Sequence, residues 1–206
     1  KNLSAERAEN TRETVYVRER NALRDLVQTA YSIVEEHYER SQDVEGLKQA
    51  KAEDLAKILE GLAAQIQAFR DRHQDDMAPD ELKAALKELV AGFRYDDGNY
   101  VWIQDTQPSM VMHPVKPSLD GEDLSGYADP EGKRLFVEMA EVCEQKGRGM
   151  VDYLWSKPGE DEPKPKVSSV LMLPELGWIL GTGAWIEDIT AELKQQALDQ
   201  IASIRM

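Results

Sequence analysis

NYVWIQDTQPSMVMHPVKP, residues 99–117, is where the character of the chain changes. Two short apolar runs, NYVWIQ and SMVMH, flank the polar turn DTQP at 105–108. A period of two around a turn signal predicts a β-hairpin. Nothing N-terminal to Gly98 has that period. The second run ends on His113 and Pro114, with Lys116 just beyond. Two readings stand at this point: a strand that ends at a loop, and the wall of a binding pocket at the mouth of a sheet.

Upstream, apolar residues recur at helical spacing. Leu23, Leu26, Val27, Ala30, Ile33, Val34 and Tyr38 predict one long helix over 4–40. At 1.5 Å per residue it is about 55 Å long. Its first part, 1–20, is mostly polar and projects beyond the core or packs on a partner. A second helix is predicted over 47–73 from Leu55, Ile58, Leu59, Leu62, Ile66 and Phe69. A third starts at Pro79, a favoured first helical position, and carries Leu82, Leu86, Leu89, Val90 and Phe93.

Downstream of the hairpin, 117–130 reads as a loop. Asp129-Pro130 predicts a helix start, with an Asp cap and Pro at the first position. That helix carries Leu135, Phe136, Met139 and Cys143 and stops near Gly147. Three strands follow, GMVDYLW (149–155), KVSSVLML (166–173) and GWILGTGAWI (177–186), and a last helix spans 187–204. The strands are too closely spaced for a doubly wound parallel sheet. The order implies an α+β fold with an antiparallel sheet of about five strands and a C-terminal helix. No internal repeat is visible.

Of the 206 residues, 39 are acidic and 25 basic, for a net charge of -14. A field of that sign repels phosphate backbones and anionic headgroups, so nucleic acid is not expected as a partner. An anionic ligand needs local cations. Cys143 is the lone cysteine, so no intrachain disulfide forms. No apolar run approaches the roughly 20 residues that span a bilayer, and no signal peptide is visible. The chain starts on Lys1, and so reads as a mature or excised fragment with any anchoring parts outside it.

Chemistry-bearing patterns are few. There is no HExxH, no CxxC, no G-x-S-x-G elbow and no ligand-spaced His/carboxylate pair. No catalytic residue, metal or cofactor is expected. The GTG at 181–183 lies inside a strand pattern, which favours close backbone packing or strand curvature over a phosphate loop. By strand alternation Tyr100 and Trp102 share one face, and Val151, Tyr153 and Trp155 another. These aromatics read equally as core or as donors. With His113 and Lys166 they form a set suited to a small carboxylate, with tryptophans excluding water. The set lacks a nucleophile and a paired acid and base, and fits binding better than turnover.

Four blocks carry a family resemblance: FRYDDGNYVWI (93–103), MVMHPVKPSLDGEDLSGYADPEGKRLF (110–136), GRGMVDYLWSKPGEDEPKPKVSSV (147–170) and GWILGTGAWIEDI (177–189). Together they resemble a single Cache domain (the type 2 form), an extracytoplasmic sensor module of bacterial chemoreceptors. The resemblance implies one domain over 1–206, with a helical part at 1–93, a PAS-like sheet part at 94–189 and an exit helix at 190–206. It implies a long N-terminal helix packed on the sheet and one pocket for a small carboxylate such as acetate, propionate, pyruvate or lactate. The family's pattern falls on Tyr100, Trp102, His113, Tyr153, Trp155 and Lys166 as ligand-binding residues. Arg94 matches a basic residue before the sheet and is either a ligand contact or a helix-end cation. The chain departs from the family at Ser169 and Val101, where aromatics are common, at Pro108 in the hairpin, and over 42–78, which is long.

The resemblance further implies a non-enzymatic sensor, periplasmic and held in the inner membrane by flanking helices outside this chain. The polar early part of the long N-terminal helix is itself read as a homodimer contact, with ligand binding relayed as a helix shift to a cytoplasmic output module. A soluble periplasmic acid-binding protein, an enzyme on small acids and a structural dimerisation module are the rival expectations.

Overall fold

The computed structural model describes residues 3–96 and 98–204. The domain limits expected at 1 and 206 lie outside the described residues. The chain divides into two compact units, one running up to Val44 and resuming at Thr190, the other spanning Glu45–Ile189.

The first unit holds α1 (Leu3–Gln42) and most of α5 (Ile186–Ala202). His37, Leu193 and Ala197 are buried, and His37 Nε2 lies 3.0 Å from Gln200 Oε1. Leu23, Val27, Tyr31, Val34 and Tyr38 form an exposed apolar line along α1.

The second unit holds α2 (Val44–His73), α3 (Pro79–Gly92) and α4 (Leu135–Lys146) with seven strands. The predicted gap between the first two helices narrows to Asp43. Helix α3 starts at Pro79 as expected, and the Glu81 carboxylate accepts the Ala78 N–H at 3.2 Å. A small hairpin pairs β1 (Arg94–Tyr95) with β2 (Asn99–Tyr100). The main sheet contains β3 (Trp102–Asp105), β4 (Met110–Met112), β5 (Arg148–Ser156), β6 (Pro163–Leu173) and β7 (Trp178–Trp185) in the order β4-β3-β7-β6-β5. All its pairings are antiparallel.

Two sequence expectations are corrected. NYVWIQ is not one strand. It breaks at Val101, because the Tyr100 carbonyl leaves the ladder and accepts the Thr182 hydroxyl at 2.7 Å. Asp129-Pro130 does not start a helix. Asp129 Oδ1 accepts the N–H groups of Glu131 and Lys133, and Oδ2 accepts that of Leu154. The carboxylate thus closes a turn onto β5, and α4 begins at Leu135. Asp side chains favour such local turns over helix wherever downstream N–H groups are in reach.

Helices α2 and α3 cover one face of the sheet. Leu59, Leu62, Ile66, Leu86 and Val90 pack there on Val101, Ile103, Trp178 and Leu180. The other face lies under α4 and the 114–134 loop. Tyr100, Trp102, Tyr153, Trp155, Ile179 and Trp185 meet Phe136, Met139 and Cys143 there.

Candidate ligand-binding site

Strand alternation sends one set of side chains from each central strand to the α4 face. From β3 comes Trp102, from β5 Tyr153 and Trp155, and from β6 Lys166. His113 follows β4, Tyr100 ends β2 and Phe136 opens α4. These seven residues line one small cavity. It has room for about one water. Six of the seven expected site residues meet here. Arg94 does not. It is exposed, and its guanidinium donates to the carbonyls of Ala91 and Phe93, so it serves as the helix-end cation of α3.

Lys166 decides the electrostatics. It is 1% exposed, and among the described residues no carboxylate lies within 4 Å of its Nζ. Its polar neighbour is the Tyr100 hydroxyl at 3.3 Å. The ammonium otherwise faces the rings of Trp185, Tyr100 and Trp102, at 4.2, 5.0 and 5.6 Å. Burial, and then repulsion from Lys116, pulls its pKa down to about 7. Lys116, half-buried, places its own Nζ 4.2 Å over the Trp155 ring.

His113, 2% exposed, has a defined role. Its Nδ1 accepts the N–H groups of Val115 (3.3 Å) and Lys116 (2.9 Å), and its own N–H donates to Asp120 Oδ1 at 2.7 Å. With Nδ1 committed as acceptor, the proton sits on Nε2. Burial, and then the charges of Lys166 and Lys116, push its pKa down to about 3, so the ring is a neutral N–H donor. It stacks on Trp102 at 6.2 Å and 17°. The indole N–H of Trp102 is buried without an acceptor.

Beside the lining, Tyr153 OH and Ser168 Oγ are 2.8 Å apart. Burial pushes the Tyr100 hydroxyl up to about 12, against the opposing effect of its bond with the Trp155 indole. No carboxylate and no nucleophile with an adjacent base lines this cavity. Asp152, the acid nearest in sequence, is tied to Lys133 and Lys48 at 2.8 Å each, which draws its carboxyl down to about 2. The cavity therefore offers donors and positive charge.

A family model described as Cache domain matches residues 1–206. This chain belongs to the Cache domain family. It is 35% identical over 154 residues to the methyl-accepting chemotaxis protein McpP of Pseudomonas putida, covering 74% of this chain and 28% of that protein. It is 28% identical over 146 residues to the sensor histidine kinase MctS of Rhizobium johnstonii, covering 71% of this chain and 31% of that one. It thus spans less than a third of the length of either relative. Among solved structures, a periplasmic sensor domain of a chemotaxis protein is 43% identical, with a TM-score of 0.60 over 66% of this chain and 94% of that one. A structure described as the basis for carboxylic acid recognition by a Cache chemosensory domain is 36% identical, with a TM-score of 0.62 over 68% and 97%. Among the described residues no helix is long and apolar enough to cross a membrane.

Sequence reasoning missed Phe136 and Lys116 as neighbours of the cavity. Phe136 lies on a helical apolar line and looks like any core residue. Lys116 stands out in sequence only as a cation three residues past His113.

Proposed function

We propose that this Cache domain binds a small monocarboxylate at the cavity of Tyr100, Trp102, His113, Tyr153, Trp155 and Lys166, and acts as the periplasmic ligand-sensing part of a membrane-bound chemotaxis receptor. The observation that carries the reading is the Lys166 ammonium, buried without a counter-ion. A buried charge is costly unless paired. A ligand carboxylate supplies the missing charge, and the Nε2–H of His113 and the Tyr100 hydroxyl supply charge-assisted hydrogen bonds to it. The tryptophans enclose the alkyl or keto end. The domain binds and does not turn over its ligand, since the lining holds no nucleophile with a base. The carboxylic acid recognition reported for a 36% identical Cache domain supports the same class.

Binding shifts the population between two arrangements of the helices that leave the sensor. A homodimer through α1 completes this reading, supported by the exposed line from Leu23 to Tyr38. Loss of self-association in Val27→Glu, read by sedimentation equilibrium, is its expected signature.

The test of the ligand class is a thermal-shift screen of two- to four-carbon monocarboxylates, amino acids and sugars at millimolar concentration. A micromolar binder stabilises the protein by about 4 kcal/mol under those conditions. Shifts confined to monocarboxylates are expected. No shift with any of these acids overturns the carboxylate reading.

A further inference from the structure

The GTG of β7 has no part in the donor set, yet it lies on the cavity face. Gly181 is the antiparallel partner of Trp102, and Gly183 that of Ser168. A side chain at either position has nowhere to go. A Cβ on Gly181 would overlap Cζ2 and Cε2 of the Trp102 indole and come within 2.9 Å of Cη2. A Cβ on Gly183 would overlap Ser168 Oγ and lie 2.8 Å from Cε of Lys166 and 2.7 Å from the Val167 carbonyl oxygen. Neither glycine has a left-handed φ, so backbone freedom does not demand glycine at either place.

We infer that Gly181 is a positioning residue for the binding cavity: its missing side chain is the seat on which the Trp102 indole lies flat against β7. The indole in turn stacks on His113, so this one glycine sets the depth of two lining groups. The margin is small, because the free space leaves room for little more than a water. An indole lifted by the width of a methyl group closes that space and displaces the imidazole. The obstacle is a bulky ring packed between β7 and His113, which cannot swing aside as the end of a flexible side chain does. Gly183 leaves the same kind of room under the Lys166 stem, though a Cβ there also meets backbone.

The inference rests on the proposed binding site for its consequence, but its test does not need the ligand. Gly181→Ala is made in the wild type and in a Trp102→Leu background, where no ring remains to be struck. In ligand-free protein the melting temperature and the near-ultraviolet circular dichroism of the tryptophans are followed. The expected result is a clear loss of melting temperature and a changed aromatic spectrum for Gly181→Ala in the wild type, and little change in the Trp102→Leu background. Non-additivity of this kind is the mark of residues acting through one contact. Equal effects in both backgrounds, or none in either, overturn the inference. With acetate as the probe, Gly181→Ala is further expected to weaken binding about ten-fold or more, as small misplacements in a preorganised site do. If wild-type protein binds none of the two- to four-carbon monocarboxylates while the ligand-free coupling is present, the carboxylate reading fails and the seat for Trp102 stands.

Discussion

Under α2 and α3 the sheet presents Val101, Ile103, Trp178 and Leu180 to leucines, an isoleucine and a valine. Under α4 the sheet presents Trp102, Tyr153 and Trp155 together with Lys166, His113 and Ser168, all buried. Both faces exclude water, so burial alone does not distinguish them. They differ in satisfaction. Among the described residues the first face leaves no buried side-chain donor unsatisfied, while the second keeps an ammonium without a counter-ion and an indole N–H without an acceptor. Such groups lower stability unless something else needs them. One face of this sheet is satisfied apolar packing, and the other carries a buried charge at a cost in stability.

That contrast can be broken by mutation. The largest effect is expected on the packing face. Leu59→Ala removes a fully buried side chain and should cost about 2–5 kcal/mol in urea unfolding, with carboxylate affinity unchanged where the protein remains folded. On the other face Lys166→Met should do the opposite. It should reduce carboxylate affinity by about a hundred-fold in calorimetry, as loss of one partner of a buried charge pair does, while stability stays level or rises. A fall in stability as large as that of Leu59→Ala would make Lys166 a structural residue.

The smallest effect sharpens the contrast through pH. Burial first, and Lys116 second, lower Lys166 to about 7 in the free domain. A bound carboxylate raises that value, because it stabilises the ammonium. Below about pH 7 the proton is present before binding, and affinity is flat. Above it, binding must take up a proton, so affinity should fall by up to ten-fold per pH unit until the raised value is reached. His113, held near 3, does not titrate in this window. Calorimetry in buffers of different ionisation enthalpy reads the uptake directly. An affinity constant from pH 6 to pH 9 would remove Lys166 from the site.

The elements themselves were largely legible in the sequence. Pro79 marks the start of α3, GMVDYLW and KVSSVLML fall inside observed strands, and GWILGTGAWI overruns β7 by one residue at each end, because helical and strand periods are local properties of the chain. Asp129 was misread because the rival for its carboxylate, the N–H of Leu154, lies 25 residues away. Arg94 was undecided because a cation at a helix end and a cation facing a ligand look alike in one dimension.

Sequence alone determined the α+β order of elements, through helical and strand periods, and the resemblance to a Cache domain, through four blocks in order. Tertiary structure decided which of the expected site residues meet. The β4-β3-β7-β6-β5 order brings residues from 100 to 166 around one cavity, leaves Arg94 outside, adds Phe136, and lays Trp102 on Gly181. It also fixed the state of each donor. The proton of His113 and the unpaired charge of Lys166 depend on burial and on neighbours distant in sequence, which are set only when the sheet has closed under α4.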